Sequence, residues 1–141
     1  MTILDEAHQS AAAKEELDKL TERIIGCAYE VSNTLRTGFV EKVYENALAR
    51  ELQKNGLSVL QQYPIKVRYD GFVVGEFVAD ELVENTVLLE LKAASALTEE
   101  HTAQALNYLR ATGFPACLLI NFGQSKIQVR GLHPSPTWKA P

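Results

Sequence analysis

The sequence predicts an α/β fold in which a mixed β-sheet is flanked by helices. The predicted elements run helix, helix, three strands, helix, two strands. Segments 87–92 and 116–121 are apolar on both strand faces, which is typical of central strands covered on both sides. A three-strand meander followed by a helical crossover combines antiparallel and parallel pairing in one sheet. At 141 residues, the chain is expected to form one domain.

Two helices are predicted before the sheet. Residues 1–20 are polar and carry no strong apolar stripe, so they are expected to form an appendage or a loosely docked helix. Thr21 is the predicted N-cap of the first core helix, which has Ile24, Ala28, Val31 and Leu35 on one face. Residues 36–38 break this helix, and a second runs from about Val40 to Lys54 before Asn55-Gly56 ends it.

The first three strands are separated by turn signals. Residues 57–69 form one or two extended segments, and Asp70-Gly71 is a strong hairpin turn signal. Residues 72–83 form the next strand. A three-residue turn at 84–86 then leads into the strand at 87–92.

The remaining elements follow the same logic. A helix is expected from Thr98 to about Thr112, with Gly113 as its stop. Strand 116–121 is followed by a last strand, 126–131, near an edge of the sheet. Residues 133–141 contain three prolines and are predicted to be irregular. The domain is therefore predicted to span residues 21–132.

Composition narrows the possible functions. The net charge is −4 and the pI about 5.4, so any binding of nucleic acid must come from a local site and not from bulk attraction. Cys27 and Cys117 lie in apolar contexts and are expected to be reduced core residues. No stretch of about 20 apolar residues and no apolar leader is present, so a cytoplasmic protein without a membrane segment is expected.

Asp80 and Glu90 form the first candidate site. If the turn at 84–86 closes the hairpin, Leu82 faces Leu88 and Asp80 faces Glu90 on the same face of the sheet. Two carboxylates placed in this way repel each other unless a cation bridges them or one is protonated. A two-residue turn would instead move Asp80 opposite a leucine and remove the site.

Glu90 and Lys92 point to the same face of their strand. Oxygen ligands without histidine or cysteine suit Mg²⁺ or Mn²⁺, and a lysine beside them can position water or stabilise charge on a phosphoryl group. The alternative is a surface ion pair at a strand end, which is the more common explanation of such a short motif.

The helices offer further candidates. Gln104 and Tyr108 lie four residues apart on one face of the third core helix, with Ala103, Leu106 and Leu109 predicted on its core side. An ordinary polar helix face is the alternative. Glu41 shares a stripe with Tyr44 and Leu48, and either serves as a further ligand or as a first-turn carboxylate favoured by the helix dipole. Glu45 competes with Glu41 for the ligand role.

Together these residues resemble a known pattern. Asp80, then Glu90-Leu91-Lys92, then Gln104 with Tyr108 is similar to the PD-(D/E)xK nuclease superfamily in its RecB-like form. The segment Gly38 to Tyr44 reads G-x-x-E-x-x-Y, which resembles the naming motif of the GxxExxY family of small bacterial proteins. The similarity extends over about residues 20–131.

The resemblance implies a restriction-endonuclease-like core and a role for each site residue. Asp80 and Glu90 would ligate the metal, Lys92 would assist the attacking water, and Glu41 would complete the acidic cluster. Gln104 would orient the site or a phosphate. Tyr108 and Tyr44 would contact substrate. The sequence departs from the family at four positions, which are Ser32, Arg36, Thr37 and Glu81.

The expected function is a metal-dependent nuclease with nucleic acid as its partner, DNA before RNA. The first alternative is a catalytically inactive module that binds nucleic acid or a protein. The second is an enzyme on another phosphate-bearing substrate, because a fold does not fix its substrate. A homodimer would give a domain of this size more surface with which to grip a duplex.

Overall fold

The computed structural model describes residues 3–139, with side chains from Ser10 onward. Three helices and five strands make up this described part of the chain. In chain order they are α1 (Ile3–Leu35), α2 (Glu41–Lys54), β1 (Val59–Tyr69), β2 (Phe72–Val83), β3 (Val87–Lys92), α3 (Glu99–Thr112), β4 (Ala116–Asn121) and β5 (Gln128–Leu132).

The five strands form one mixed sheet in the order β1-β2-β3-β4-β5. Among residues 3–139, only β3 and β4 pair in parallel, and α3 makes the crossover between them. The prediction of a mixed sheet is confirmed, with β3 at its centre and β5 at an edge. The parallel pair lies away from both edges because its apolar residues must be covered on both faces.

Helices α1 and α2 cover one face of the sheet and α3 covers the other. The alternation of β3 shows this directly, because Leu89 packs with the α1/α2 side and Leu88 with the α3 side. Both leucines are fully buried, and such burial contributes roughly 1.5–3 kcal/mol for each side chain. Cys27 and Cys117 are free and buried, as expected.

The structure of α1 corrects the prediction that a helix begins at Thr21. It continues without a break through Thr21, whose hydroxyl donates to the carbonyl of Asp18 in the preceding turn and caps no helix. Leu17 and Leu20 pack against the core, which extends the helix's contact with the domain toward its N-terminus. The domain boundary at residue 20 stays a prediction.

The two hairpin turns agree with the sequence. Asp70 and Gly71 both have positive φ, 52° and 80°, which is the backbone of a type I′ turn. In the next turn, Val83 pairs with Val87, so the loop holds three residues as predicted.

Helix α3 lies differently about its axis than predicted. Its buried residues are Ala105, Tyr108 and Leu109, whereas Ala103 is exposed and Leu106 only half-buried. Ala103 and Leu106 therefore do not form its core face. None of the helices within residues 3–139 is long and apolar enough to cross a bilayer.

Candidate metal centre

Strands β2 and β3 part at the predicted site. Leu82 pairs with Leu88, so the assumed register is confirmed, but the backbone ladder ends at Glu81 and Leu89. Beyond that point the two carboxylates replace the ladder. Glu90 Oε1 accepts from the backbone N–H of Asp80 at 3.1 Å, and Asp80 Oδ2 accepts from the N–H of Leu91 at 2.7 Å. Asp80 and Glu90 are therefore fixed side by side where the two strands separate. We call this place, residues 80 and 90–91, the seam.

Both carboxyl groups are harder to ionise than usual. Burial, followed by the charge of Asp80, raises the pKa of Glu90 to about 8. The pKa of Asp80 is raised as well, first by burial and then by Glu45 and Glu41, while the hydrogen bond from Leu91 acts in the opposite direction. A buried carboxyl group beside a half-buried one, both with a raised pKa, is an arrangement that a cation would relieve.

The free oxygens of the pair are compatible with a divalent ion. Asp80 Oδ1 and Glu90 Oε2 accept no hydrogen bond from residues 10–139. Within the same range, no three carboxylate, imidazole or thiolate groups lie close enough together to hold an ion. The preformed part of the site is thus a pair of oxygen donors of the type that Mg²⁺ and Mn²⁺ prefer.

Lys92 lies at the end of β3 and is half-buried. Its positive charge lowers the pKa of both Asp80 and Glu90, which places it within electrostatic reach of the pair. Its ammonium group makes no ion pair with any side chain of residues 10–139. It therefore remains available to another group at the site.

Helix α2 contributes two carboxylates in different states. Glu41 is exposed, and its charge raises the pKa of Asp80 and Glu90. Glu45 is buried and already engaged, because it accepts from Lys42 at 2.9 Å and from Gln61 and Gln62 at 2.7 and 2.8 Å. Glu41 is thus the freer of the two groups.

Tyr44 is not brought into the site. It is buried in the core, where its ring stacks on Phe122 with 4.8 Å between centroids. Its hydroxyl donates to the carbonyl of Arg36 and accepts from the N–H of Phe39. The interpretation of Tyr44 as a substrate contact is therefore corrected to a structural role, which is to close the loop before α2.

Gln104 and Tyr108 interact across one turn of α3. Gln104 Nε2 donates to the Tyr108 hydroxyl at 3.0 Å, and Gln104 itself is exposed. Burial and then the charge of Glu90 raise the pKa of Tyr108, which shows that its hydroxyl lies near the carboxylate pair. The structure therefore brings this part of α3 to the same side of the sheet as Asp80 and Glu90.

Glu81 is a residue whose importance the sequence barely indicated. It is fully buried, and neither carboxylate oxygen has a hydrogen-bond partner among residues 10–139. Burial, followed by the charges of Glu45 and Asp80, raises its pKa to about 9. The only sequence signal was that Glu81 departs from the pattern of the family that the chain resembles. At neutral pH the Glu81 side chain is protonated.

Asn121 supports the loop that follows Lys92 and was missed entirely. Its side chain accepts from the N–H groups of Ala94 and Gly123 and donates to the carbonyl of Ala94 and to Gln128. Gly123 crosses Ala94 so closely that a Cβ on Gly123 would collide with the Ala94 backbone. No local pattern announces such a long-range crossing.

A five-stranded mixed sheet with paired carboxylates and a lysine at its central strand defines a nuclease-like α/β fold. The sequence pattern of the PD-(D/E)XK nuclease superfamily matches residues 18–132, and the chain belongs to that superfamily. No curated protein sequence matches the chain.

Two solved structures are similar to the chain. The crystal structure of SSO0001 has a TM-score of 0.55 at 16% identity, over 67% of this chain and 50% of the other. An alkaline exonuclease, LHK-Exo from Laribacter hongkongensis, has a TM-score of 0.46 at 18% identity, over 67% of this chain and 56% of its own. The chain thus spans about half the length of both, and the likeness to SSO0001 supports the fold alone.

Proposed function

We propose that this protein is a metal-dependent nuclease that hydrolyses phosphodiester bonds in DNA. The observation that carries the proposal is the seam between β2 and β3. There, the backbone holds Asp80 and Glu90 side by side, each keeps one oxygen free, and both have a raised pKa. A module that only binds has no use for such a costly pair.

Each residue has a role that follows from its surroundings. Asp80 and Glu90 would hold Mg²⁺ or Mn²⁺, and the exposed carboxylate of Glu41, which does not yet form a group of three with them, would move toward the ion as the third ligand. The ion would stabilise the negative charge that develops on the phosphoryl group. The unengaged ammonium of Lys92 would position the attacking water, and Gln104, linked to Tyr108, would contact the phosphate backbone.

Membership of the GxxExxY family is part of the same proposal and has a physical basis. Gly38 has a φ of 115°, a conformation that strongly favours glycine. Tyr44 ties the loop to the helix through the carbonyl of Arg36. Between them, Glu41 begins α2 within electrostatic reach of the carboxylate pair. The motif would therefore build the loop that positions the third ligand.

A cleavage assay tests the proposal. Single- and double-stranded DNA and RNA are incubated with wild-type protein and Mg²⁺ or Mn²⁺, and with Lys92→Ala and Asp80→Asn. Each substitution should reduce the cleavage rate by at least about 10²-fold, because Asp80→Asn weakens the hold on the ion that stabilises the developing charge and Lys92→Ala removes the group that positions the attacking water. Lys54→Ala and Asp70→Asn, both exposed and away from the seam, are matched controls and should cleave normally. Cleavage that survives both site substitutions would contradict the mechanism.

A catalytically inactive binding module is the second candidate. It is favoured by one observation, which is that residues 10–139 contain no preassembled group of three metal ligands. In the same experiment this candidate predicts that DNA is bound but never cut with any of the metals. A nuclease-fold protein of this kind would retain the seam as a structural remnant.

A further inference from the structure

The β1–β2 hairpin extends beyond the sheet as an arm, here defined as residues 63–79. These residues pair with each other but with no third strand, because the β2–β3 ladder begins only at Glu81. Helix α3 packs against one side of the arm through the contact of Tyr108 with Phe77. A cavity of about 550 Å³ lies between the arm and α3, and this volume is within the usual range for ligand sites.

Aromatic side chains with exposed rings line this cavity. Tyr69 is 73% exposed and Phe77 45% exposed, and both border the cavity together with Tyr108. The rings of Phe77 and Tyr108 are 5.7 Å apart at their centroids and are inclined at 41°. Exposed rings gathered around one opening indicate a binding surface, since isolated domains rarely leave such surface open to water.

Polar groups occur in the same cavity at its α3 side. Asn107 and Gln104 bring amide donors and acceptors, and Arg110 brings a guanidinium group. Arg110 makes no ion pair within residues 10–139, and it has one long hydrogen bond, to the carbonyl of Lys139. Rings for stacking, amides for the edge of a base and an unpaired cation for phosphate form the combination that unpaired nucleotides need.

Tyr108 connects the cavity with the candidate metal centre. Tyr108 lines the cavity, while the charges of Glu90 and Asp80 act on its hydroxyl. Along β2, Phe77 lies three residues before Asp80, which corresponds to about 10 Å of strand. About three nucleotides of a stacked strand cover that distance, at roughly 3.4 Å each.

We propose that this cavity binds an unpaired nucleobase of a single-stranded nucleic acid, stacked on Phe77 and Tyr69 with its phosphate near Arg110. The inference rests on the proposed function and adds the substrate class to it. A base inside a duplex is stacked and paired, so it cannot enter the cavity without being extruded. The protein would therefore favour single strands or frayed ends over intact duplex.

The test measures binding without cleavage. Fluorescence anisotropy with wild-type protein in EDTA compares a labelled oligothymidylate, the same strand with abasic sites and a duplex of equal length. Phe77→Ala should weaken binding of the oligothymidylate roughly tenfold and leave the abasic strand and the duplex unchanged, since base stacking is lost. Phe77→Leu, which keeps apolar volume without a ring, should behave similarly. Phe72→Ala is the control, because Phe72 is exposed on the arm but does not line the cavity.

Several results would overturn the inference. One is equal affinity of wild-type protein for the normal and the abasic strand. Another is a change of oligomeric state in Phe77→Ala without a change in binding, which would make the cavity a contact between copies of the chain. If no cleavage is found but Phe77-dependent binding is, the nuclease proposal fails and this one stands. If cleavage depends on Lys92 but binding does not change in Phe77→Ala, the nuclease proposal stands and the cavity proposal fails.

Discussion

Buried and half-buried carboxyl groups are concentrated where β2 meets β3, and Glu81 is the most isolated of them. Asp80 and Glu90 accept backbone hydrogen bonds, whereas Glu81 has no partner within residues 10–139. A protonated side chain still leaves polar atoms unsatisfied, so the position costs stability at every pH. Because Glu81 is next to Asp80, this destabilising group lies beside the candidate metal centre.

Replacing Glu81 by methionine should stabilise the protein, and more strongly as pH rises. The folded-state pKa of Glu81, about 9, lies above the ordinary value of 4.5, so the folded state binds the proton more tightly. The contribution of Glu81 to stability is therefore most favourable below pH 4.5, and it falls as pH rises from there to about 9. Urea unfolding of Glu81→Met should show a gain that grows between pH 5 and pH 8.5, to about 2 kcal/mol or more. Glu76→Met, on an exposed site of β2, should show no such trend.

Gly123 should tolerate no side chain. Gly123→Ala would force the β4–β5 connection away from Ala94 and strain the hydrogen bonds of Asn121, so the free energy of unfolding should fall by about 2–4 kcal/mol. Gly26→Ala is the matched control, because a Cβ on Gly26 meets nothing within 4 Å and alanine favours a helix interior by about 0.5–1 kcal/mol. Equal changes in the free energy of unfolding for the two substitutions would show that the chain near Gly123 and Ala94 can move apart without strain.

At the scale of elements, local signals predicted the strands and turns well. Asp70-Gly71 identifies the end of β1, and Asn55-Gly56 identifies the end of α2. The positive φ that such ends require, here at Asp70, Gly71 and Gly56, is a property of a few adjacent residues. The start of α1 was predicted wrongly at Thr21, since a threonine hydroxyl can also donate to a carbonyl within a continuing helix. Of the core face predicted for α3, Leu109 is confirmed but Ala103 and Leu106 were predicted wrongly, because the orientation of the helix depends on the arm, where Phe77 meets Tyr108. Local signals and long-range contacts differ in the same way at the site. Asp80 and Glu90 could be proposed from their spacing along a hairpin, whereas the hydrogen bonds of Asn121 join segments that are far apart in sequence.

The N-terminus of α3 should depend on one side chain. Thr98 accepts from the N–H of His101 at 3.2 Å, and His101 Nδ1 accepts from the N–H of Thr98, which forms a reciprocal capping box. Thr98→Ala should lower the free energy of unfolding by about 1 kcal/mol, because the first turn of the helix loses an acceptor. Thr34→Ala, an exposed change on α1, should stay within about 0.5 kcal/mol. Denaturant unfolding compares them, and similar losses would mean that the cap is dispensable.

On the scale of the whole molecule, the fold and the candidate site make opposite demands. The sheet encloses apolar residues on both faces, yet it holds Asp80, Glu81 and Glu90 at the point where its central strands separate. Natural proteins retain such conflicts mainly where function requires them, and the rest of the fold compensates. The carboxylate pair should therefore weaken the metal-free protein and become an advantage once a cation binds.

One series of thermal unfolding experiments can test both claims: that the carboxylate pair weakens the metal-free protein, and that a bound cation stabilises it. Mn²⁺ or Mg²⁺ that binds only the native state at about 100 times its Kd adds about 2.7 kcal/mol, which should raise Tm by on the order of 5–10 °C. The double variant Asp80→Asn with Glu90→Gln should lose this metal-dependent rise. Without metal it should melt at or above the wild-type temperature, because neither amide can carry the negative charge that burial and the neighbouring carboxyl groups disfavour. A variant that merely folded badly would melt lower under both conditions, and a rise in Tm that persisted in the double variant would place the ion elsewhere.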